Sequence, residues 1–485
     1  MEVLPDEIWE QIFANFEDYM PLKNWWMYGA QLKHQRHRTL YSLSLVSHHF
    51  QRVAYSFLYR TLLLEGGDYE ARVHMLLLRT LSEDPLLGQH VRNVSFDDST
   101  GSPRRMSSTL TGTPVDSILK AGLESLNLQP AVAKRLETSI LDGCGFGTLA
   151  IAYMPQLEFV DCSLNHNQSP LPLMLSGRLG VEHGLLRQPD REEKNNEDAH
   201  DDDDRINEKN APISIESMPT DYSFPNLTEV RIRAGSSESI SPILVIEPIL
   251  LHPTLKRLRT FGIDWSGDAG KQLEWHDRVS NLQYLDLKES IIDAAGLRSV
   301  LSRCPNLEGL SIQMAGWHRE GYREDDSWIV NLDDFGNVLR QFGQGLGEFD
   351  IHTLDYKLNH ATDGRLGSFQ ALSSLKHLKL DKQDFLGTVR DLGEDIGPLA
   401  LRFNESLPPS LETLYLHWSS YEHRRQIVNE EIHALIIGNE LPNLRQIQVE
   451  RYYNKTMQGE WDPDLKVDGW DVSVKNEHLW ETYDG

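Results

Sequence analysis

Cysteines and long apolar runs are both scarce in this chain, and each absence excludes a class of protein. Three cysteines, Cys144, Cys162 and Cys304, occur among 485 residues, and none of them belongs to a CxxC pair. That spacing excludes a disulfide framework and a cysteine-rich zinc site, and it is typical of a reducing compartment. No apolar run reaches the roughly 18 residues that a membrane helix needs. The acidic first residues also differ from a secretory signal, so we expect a cytoplasmic or nuclear protein.

Basic charge is scarce as well. Lysine and arginine number 47 against 73 acidic residues, which gives a formal net charge of −26. Nucleic acids and anionic membrane surfaces both attract proteins that carry a basic footprint. We therefore expect no nucleic-acid partner and no membrane partner, whereas an acidic surface favours encounter with basic proteins.

Sequence signatures of catalysis and cofactor binding are missing. The chain has no HExxH, no GxSxG and no RING-like cysteine pattern. The glycine-rich segments 143–147 and 343–347 lack the residues that complete a phosphate-binding or dinucleotide-binding fingerprint, so we interpret them as turns. The acidic run at 200–204 provides no rigid cage for a hard cation. We predict a non-catalytic protein with no cofactor and no metal.

The first sixty residues contain two apolar helical patterns. Pro5 suits the first position of a helix, and the acidic residues after it favour the positive end of the helix dipole. The apolar residues at 8, 12, 13 and 16 then share one helical face, and a second periodic stretch runs over 40–59. Short helices cannot bury this much apolar surface among themselves. Part of it should contact another domain or another protein.

Three motifs occur in order along this segment: LPDEIWEQIF at 4–13, LSLVSHHF at 43–50, and Ala54 followed by LYR at 58–60. Together they resemble an F-box of the fungal type, over residues 2–62, with a connector between Asp18 and Thr39 that is longer than usual in that family. The resemblance implies helices that dock on a Skp-type adaptor, which links the chain to a cullin scaffold. The adaptor contacts that it implies are Leu4, Pro5, Ile8, Ile12, Phe13, Leu45, Val46, Phe50, Ala54 and Leu58. The alternative is a plain helical cap that packs on the repeats described next.

The rest of the chain repeats a P-x-L-x-x-L-x-L phrase. Its leading leucines include Leu227, Leu255, Leu282 and Leu307, which follow one another at intervals of 25 to 28 residues. That interval is typical of a leucine-rich repeat, in which the L-x-L part is a short strand and a helix returns the chain. We predict strands at 61–64 and 91–96, and helices at 73–81 and 294–303.

These patterns predict an α/β protein with three parts. An F-box at 1–62 precedes an irregular leucine-rich-repeat-like solenoid of short parallel strands and return helices at 63–452. The segment 187–211 is acidic and almost free of apolar residues, which predicts a disordered insertion. The tail at 453–485 contains Trp461, Trp470 and Trp480 and a hairpin signal at Asp468-Gly469. We interpret this tail as a cap on the solenoid, with a tryptophan-mediated peptide contact as the alternative.

Polar residues between the inward leucines should face the concave side of such a solenoid. The candidate substrate-binding residues on that side are Arg231, Arg233, Arg257, Arg259, Tyr284 and Tyr415. Two interpretations of the four arginines remain open. They belong to a solvated face where local acids pair with them, or they form a docking strip for an acidic or phosphorylated peptide.

The leading functional hypothesis is a substrate-recognition adaptor of a Skp–cullin–F-box ubiquitin ligase. Its partners would be a Skp-type adaptor, through it a cullin scaffold, and an unknown substrate protein held by the solenoid. The alternative is a leucine-rich-repeat interaction scaffold without a role in degradation. An enzyme would require a catalytic cluster that forms only in the folded chain.

Overall fold

The computed structural model describes the regular elements of the chain and the turns that join them. The described residues are 4–16, 35–64, 70–97, 133–134, 136–138, 145–164, 169–176, 224–234, 240–271, 273, 279–315, 330–353, 364–381, 384–385, 401–417, 425–438, 440–450 and 471–475.

The α-helices in these ranges are short, and most of them lie between two strands. They are α1 (Asp6–Ala14), α2 (Gln35–Ser44), α3 (His48–Leu58), α4 (Glu70–Glu83), α5 (Pro85–Gly88), α6 (Phe146–Ile151), α7 (Leu171–Ser176), α8 (Glu247–Leu250), α9 (Gly267–Gly270), α10 (Ala294–Arg303), α11 (Leu332–Phe342), α12 (Phe403–Ser406) and α13 (Arg425–Gly438). The strands are β1 (Thr61–Leu64), β2 (Asn93–Asp97), β3 (Phe159–Leu164), β4 (Glu229–Ala234), β5 (Ser241–Pro242), β6 (Arg257–Phe261), β7 (Ile263–Asp264), β8 (Tyr284–Ser290), β9 (Gly309–Met314), β10 (Glu348–His352), β11 (His377–Asp381), β12 (Thr413–His417), β13 (Gln446–Glu450) and β14 (Asp471–Lys475).

Twelve of the described strands form one parallel sheet in chain order. Only β5 and β7 stand outside it among the described strands, and they pair with each other. Parallel neighbours that are consecutive along the chain need a crossover connection, and helices α4 to α13 fall in these crossovers. The result is a solenoid-like arrangement with one strand of the large sheet per repeat. The α/β class with short parallel strands, predicted from the sequence, is confirmed.

A tight turn before the strands explains the repeated proline and leucine. The Leu227 N–H donates to the Phe224 carbonyl at 3.1 Å, which puts Pro225 at the second position of a β-turn. Proline is favoured there because its fixed φ suits the turn. The same bond, donated by the leading leucine, precedes β6, β9, β12 and β13. The proline therefore stabilises the turn that leads into each of these strands.

The leading leucines, the alternate strand residues and the return helices share one continuous core. Leu227 and the β8 residue Leu287 are fully buried. In α10 the buried residues Leu297, Val300 and Leu301 reach the same core. Because helices cover this face of the sheet, the positions that alternate with the core residues belong to the other face.

Helices α1, α2 and α3 form a unit with a small core of its own. The buried residues of that core are Phe13, Leu40, Val53, Ala54 and Leu58. Trp9 and Phe50 pack against it, and their ring centroids lie 4.5 Å apart. Ser47 caps α3 by accepting a hydrogen bond from the Phe50 N–H at 3.1 Å. Since β1 begins at Thr61, the sheet starts inside the segment 1–62 that the sequence assigned to the F-box.

Several local predictions match the structure, and one repeat was missed. The strand at 61–64 and the helix at 294–303 have the predicted bounds, and the helix predicted at 73–81 lies within α4. The strand predicted at 91–96 is β2, shifted to Asn93–Asp97. The missed repeat contains β10, where Phe349 replaces the second leucine and glycine surrounds the leading Leu346.

The predictions for the tail fall partly outside the described residues. The second half of the predicted hairpin is β14, which pairs in parallel with β13 and extends the sheet by one strand. Trp461, Trp470 and Trp480 and the insertion at 187–211 lie outside the described residues. None of the helices in the described ranges combines the length and the apolar character that crossing a bilayer requires.

We predict that Gly296→Ala destabilises the protein. Gly296 lies in α10, where a Cβ would collide with the backbone carbonyl of Trp265. Backbone cannot swing aside like a flexible side chain, so the overpacking should cost about 1–3 kcal/mol of unfolding free energy. Chemical denaturation measures this loss.

Gly270→Ala is the matched control. Gly270 also lies in a helix, α9, but an added Cβ there would meet only Ser299 Oγ at 3.8 Å. Its unfolding free energy should stay the same or rise, because alanine restricts the unfolded chain more than glycine does. Equal losses in the two variants would contradict the proposed close approach at Gly296.

Candidate binding surfaces

The helical unit presents an apolar patch to solvent. Its members, called the docking patch here, are Leu4, Ile8, Ile12, Leu45 and Val46, with exposed fractions from 37% at Ile12 to 70% at Leu45. Leu4 lies just before α1, Ile8 and Ile12 lie on α1, and Leu45 and Val46 lie in the turn between α2 and α3. Exposed apolar residues that cluster in this way are typical of interaction sites.

An ion pair joins α1, which carries one part of the docking patch, to α3, which follows the turn that carries the other part. Asp6 at the start of α1 accepts from Arg52 of α3, with 2.6 Å between Oδ2 and Nη2. His49 Nε2 lies 3.6 Å from the other carboxylate oxygen of Asp6. The N-terminal ends of α1 and α3 are therefore adjacent, which brings Leu45 and Val46 to the end of the unit that carries Leu4.

The structure divides the ten predicted adaptor contacts into two groups. The docking patch and Pro5 are exposed, and Phe50 is half-buried. Phe13, Ala54 and Leu58 instead lie in the core of the helical unit, with 8% exposure or less. These three side chains offer almost no surface to a partner, because an apolar helical face provides both the core residues and the flanking exposed ones. The adaptor contacts themselves remain a prediction.

The second surface is the polar face, meaning the sheet face that alternates with the core positions. Its strands pair without stagger over most of the sheet, so equivalent residues of successive repeats stand side by side in rows. The middle row is Asp161, Arg231, Arg259, Asp286, Ser311, Asp350, Lys379 and Tyr415. The outer row is Glu229, Arg257, Tyr284, Gly309, Glu348, His377 and Thr413.

Three of the four candidate arginines are paired with acids of the polar face. Arg231 is 1% exposed, and its Nε lies 2.9 Å from Glu229 Oε1. Arg259 Nε lies 3.4 Å from the same carboxylate oxygen, and its Nη1 is 3.6 Å from Asp286. These contacts agree with the interpretation of a face whose arginines are paired by local acids.

Arg233 is the third paired arginine. It is buried, and its Nη2 lies 3.2 Å from Asp161 Oδ1. Burial raises the pKa of Asp161, while the charges of Arg233 and Arg231 oppose that rise. Of the other candidates, Tyr415 is 8% exposed, so it offers little surface to a partner.

A buried charge cluster joins β8, β10 and β12. Asp350 Oδ1 lies 3.0 Å from His417 Nε2, and Lys288 Nζ lies 3.5 Å from Asp286. Burial by itself raises the pKa of Asp350. The hydrogen bond and charge of His417, with Lys379 and Lys288, outweigh burial and hold the pKa of Asp350 well below its usual range. Sequence reasoning missed Asp350 because it missed β10.

An open groove lies on the polar face over β6 to β11. Its volume is about 320 Å³, and its lining includes Arg257, Tyr284, Gly309, Glu348 and Lys379. Arg257 is exposed, and its guanidinium lies 4.6 Å from the centroid of the Tyr284 ring. Of the six candidate substrate-binding residues, Arg257, Arg259 and Tyr284 line this groove.

The described residues offer little that could act chemically. No group of three or more histidine, cysteine, aspartate or glutamate side chains within them could hold a metal ion. Cys162 and Cys304 are buried, and burial raises the pKa of Cys304 to about 12. That thiol is protonated at neutral pH, so it is a poor nucleophile.

Comparisons with known proteins leave the family of the chain open. No family model matches it. No curated protein matches it. Among solved structures, the crystal structure of the Rad7 and Elc1 complex in yeast matches 97% of this chain and 98% of that chain, with 12% sequence identity and a TM-score of 0.25. A likeness at that score carries no argument, so function must be inferred from the residues of this chain.

We predict that Asp350→Asn destabilises the protein strongly. The change removes the acid that pairs with His417 and one of two acids near Lys288, which keeps Asp286; the His417 and Lys288 side chains are both 1% exposed. Removing one partner from a buried ion pair costs about 3–5 kcal/mol, because the remaining charge stays buried. Denaturant titration at neutral pH measures the loss. The control is Glu412→Gln, which breaks the exposed pair with Lys376 and should leave the denaturation midpoint nearly unchanged.

The same pair predicts a pH dependence of stability. The folded-state pKa of Asp350 lies below its unfolded value, so its contribution is complete above that unfolded value and is lost as pH falls below it. The unfolding free energy of the native sequence should therefore fall from pH 5 to pH 3 more steeply than that of Asp350→Asn. Parallel slopes in denaturant titrations at the two pH values would show that Asp350 does not titrate with folding.

Proposed function

We propose that the chain is a substrate-recognition subunit of a ubiquitin ligase. The helical unit would dock on a Skp-type adaptor, and through it on a cullin scaffold, while the sheet solenoid holds a substrate protein. The observation that carries the proposal is the docking patch. Leu4, Ile8, Ile12, Leu45 and Val46 are exposed at the positions where the F-box resemblance puts adaptor contacts.

The energetics of the docking patch support a protein partner. Burying a leucine- or isoleucine-sized side chain is worth roughly 1.5–3 kcal/mol. The small core of the helical unit is already complete without the docking patch, as Phe13, Ala54 and Leu58 fill it. Among the described residues nothing buries the docking patch, so a partner would supply the burial that these side chains lack.

The repeats support a binding role. Their turns, buried leading leucines and in-register strands form an extended sheet face, as in a leucine-rich-repeat domain. A receptor of this kind needs no catalytic residue. It speeds transfer by holding the substrate near the charged ubiquitin carrier, which raises the local concentration.

We predict that the double variant Leu45→Asp, Val46→Asp loses adaptor binding. The two side chains are 70% and 66% exposed, so the fold should tolerate the change. A buried aspartate facing an apolar partner surface is costly, and 1.4 kcal/mol already corresponds to a factor of ten in affinity. Calorimetric titration with a purified Skp-type adaptor should show a loss of at least about tenfold.

Ile437→Asp is the control for this prediction. Ile437 is a 77% exposed apolar residue on α13, far along the chain from the helical unit. It should leave both adaptor affinity and melting temperature unchanged. Equal adaptor affinity for the native chain and the double variant would reject the docking patch. Adaptor binding without ubiquitin-dependent loss of any bound partner would instead favour the scaffold hypothesis.

A further inference from the structure

The groove over β6 to β11 owes its shape to a glycine in the outer row. Gly309 stands in register between Tyr284 on β8 and Glu348 on β10. A Cβ at Gly309 would lie 2.6 Å from Cδ1 and 3.0 Å from Cε1 of Tyr284. The tyrosine ring therefore occupies the space above this glycine and stands next to the strand that carries Glu348.

Two carboxylates at this point differ from the other acids of the polar face. Glu229, Asp286 and Asp350 each have a cation within ion-pair distance. Glu308 and Glu348 are exposed, and neither forms an ion pair with any residue of the described ranges.

Tyr284 contacts one of these carboxylates and lies two strands from the other. Its hydroxyl donates to Glu308 Oε2 at 3.4 Å. Partial burial raises the pKa of Tyr284, and the negative charges of Glu308 and Glu348 raise it further. Tyr284 and Glu348 line the groove, and the hydrogen bond to the Tyr284 hydroxyl places Glu308 next to it. These three side chains are called the rim of the groove here.

The Tyr284 ring already contacts a cation of this chain. The Arg257 guanidinium lies 4.6 Å from the ring centroid, which is a cation–π contact. An aromatic ring beside two carboxylates that lack a cation is complementary to a lysine or arginine side chain. The acidic character of the whole chain, with a net charge of −26, favours approach of such a partner.

Basic residues on both sides of this rim limit what binds. Lys256 and Arg257 are exposed on the β6 side, and Lys379 lies on β11 and lines the groove. Four strand spacings of about 4.8 Å separate β6 from β11, a span of about six extended residues. A run of lysines across this span would meet like charges at both ends.

We propose that this groove binds an extended peptide segment of a partner protein through a single lysine or arginine side chain, held by Tyr284, Glu308 and Glu348. The residues on either side of that basic residue are neutral or acidic. If the proposed function is correct, the partner protein is the substrate of the ligase; the binding mode itself does not depend on that function.

A phage-displayed library of random twelve-residue peptides, selected on the full chain, tests the proposal. Selected peptides should share one lysine or arginine without basic neighbours. A synthetic peptide of the enriched sequence then serves as the probe in fluorescence anisotropy titrations. The double variant Glu308→Gln, Glu348→Gln should bind it about tenfold more weakly, a loss of about 1.4 kcal/mol, because both charge partners of the peptide cation are removed together. Replacing the basic residue of the peptide by glutamine should weaken binding equally.

Glu412→Gln is the matched control, since Glu412 holds the same place before β12 that Glu308 holds before β9. It should bind the peptide like the native chain. Recovery of no peptide, enrichment of polybasic peptides, or affinity that ignores the Glu308 and Glu348 changes would each overturn the proposal. Adaptor titration is separate from this assay. Peptide binding without adaptor binding would reject the ubiquitin-ligase role and support the groove proposal. Adaptor binding without peptide binding would support the ubiquitin-ligase role and reject the groove proposal.

Discussion

The in-register stacking of parallel strands is the constraint on which the rest of this structure depends. Equivalent residues of successive repeats stand about 4.8 Å apart, so each position in the repeat becomes a row along the sheet. Rows of leucine satisfy this constraint on the helix-covered face, where Leu258, Leu285 and Leu310 are in register and buried. A row of like charges does not satisfy it, because the repulsion is repeated at every step.

The polar face meets this constraint by mixing charges within and between rows. Arg231 and Arg259 are in register and would repel each other, but Glu229 lies within 2.9 Å of the first and 3.4 Å of the second. Farther along the sheet, Asp350 is in register with Lys379 and pairs with His417. Charges that are paired in this way stabilise the sheet and leave little potential for a partner. The proposed recognition site, the rim around Gly309, is a place on this face where acids have no such pairing within the described ranges.

The repeat could be predicted from the sequence, but the ion pairs between neighbouring repeats could not. The leucine phrase identified strands such as β4 and β9 because burial requires the same residue types each time. It missed β10, since Phe349 and Ile351 fill the same space as leucines without matching the phrase. The ion pairs depend on register across strands whose paired residues are far apart in the chain, 67 residues for Asp350 and His417 and more for Asp161 and Arg233. One apolar helical face likewise could not tell buried Phe13 from exposed Ile12.

The two surfaces differ in physics, and this difference makes them separable. The docking patch is apolar and its binding energy would come from burial, which depends weakly on salt. The groove rim is charged and its binding energy would come from a cation between an aromatic ring and two carboxylates, which salt screens. The docking patch lies on α1 and on the turn before α3, whereas the rim lies on or just before β8, β9 and β10. Substitution of exposed residues in one surface therefore leaves the packing beneath the other intact, and each surface has its own response to ionic strength.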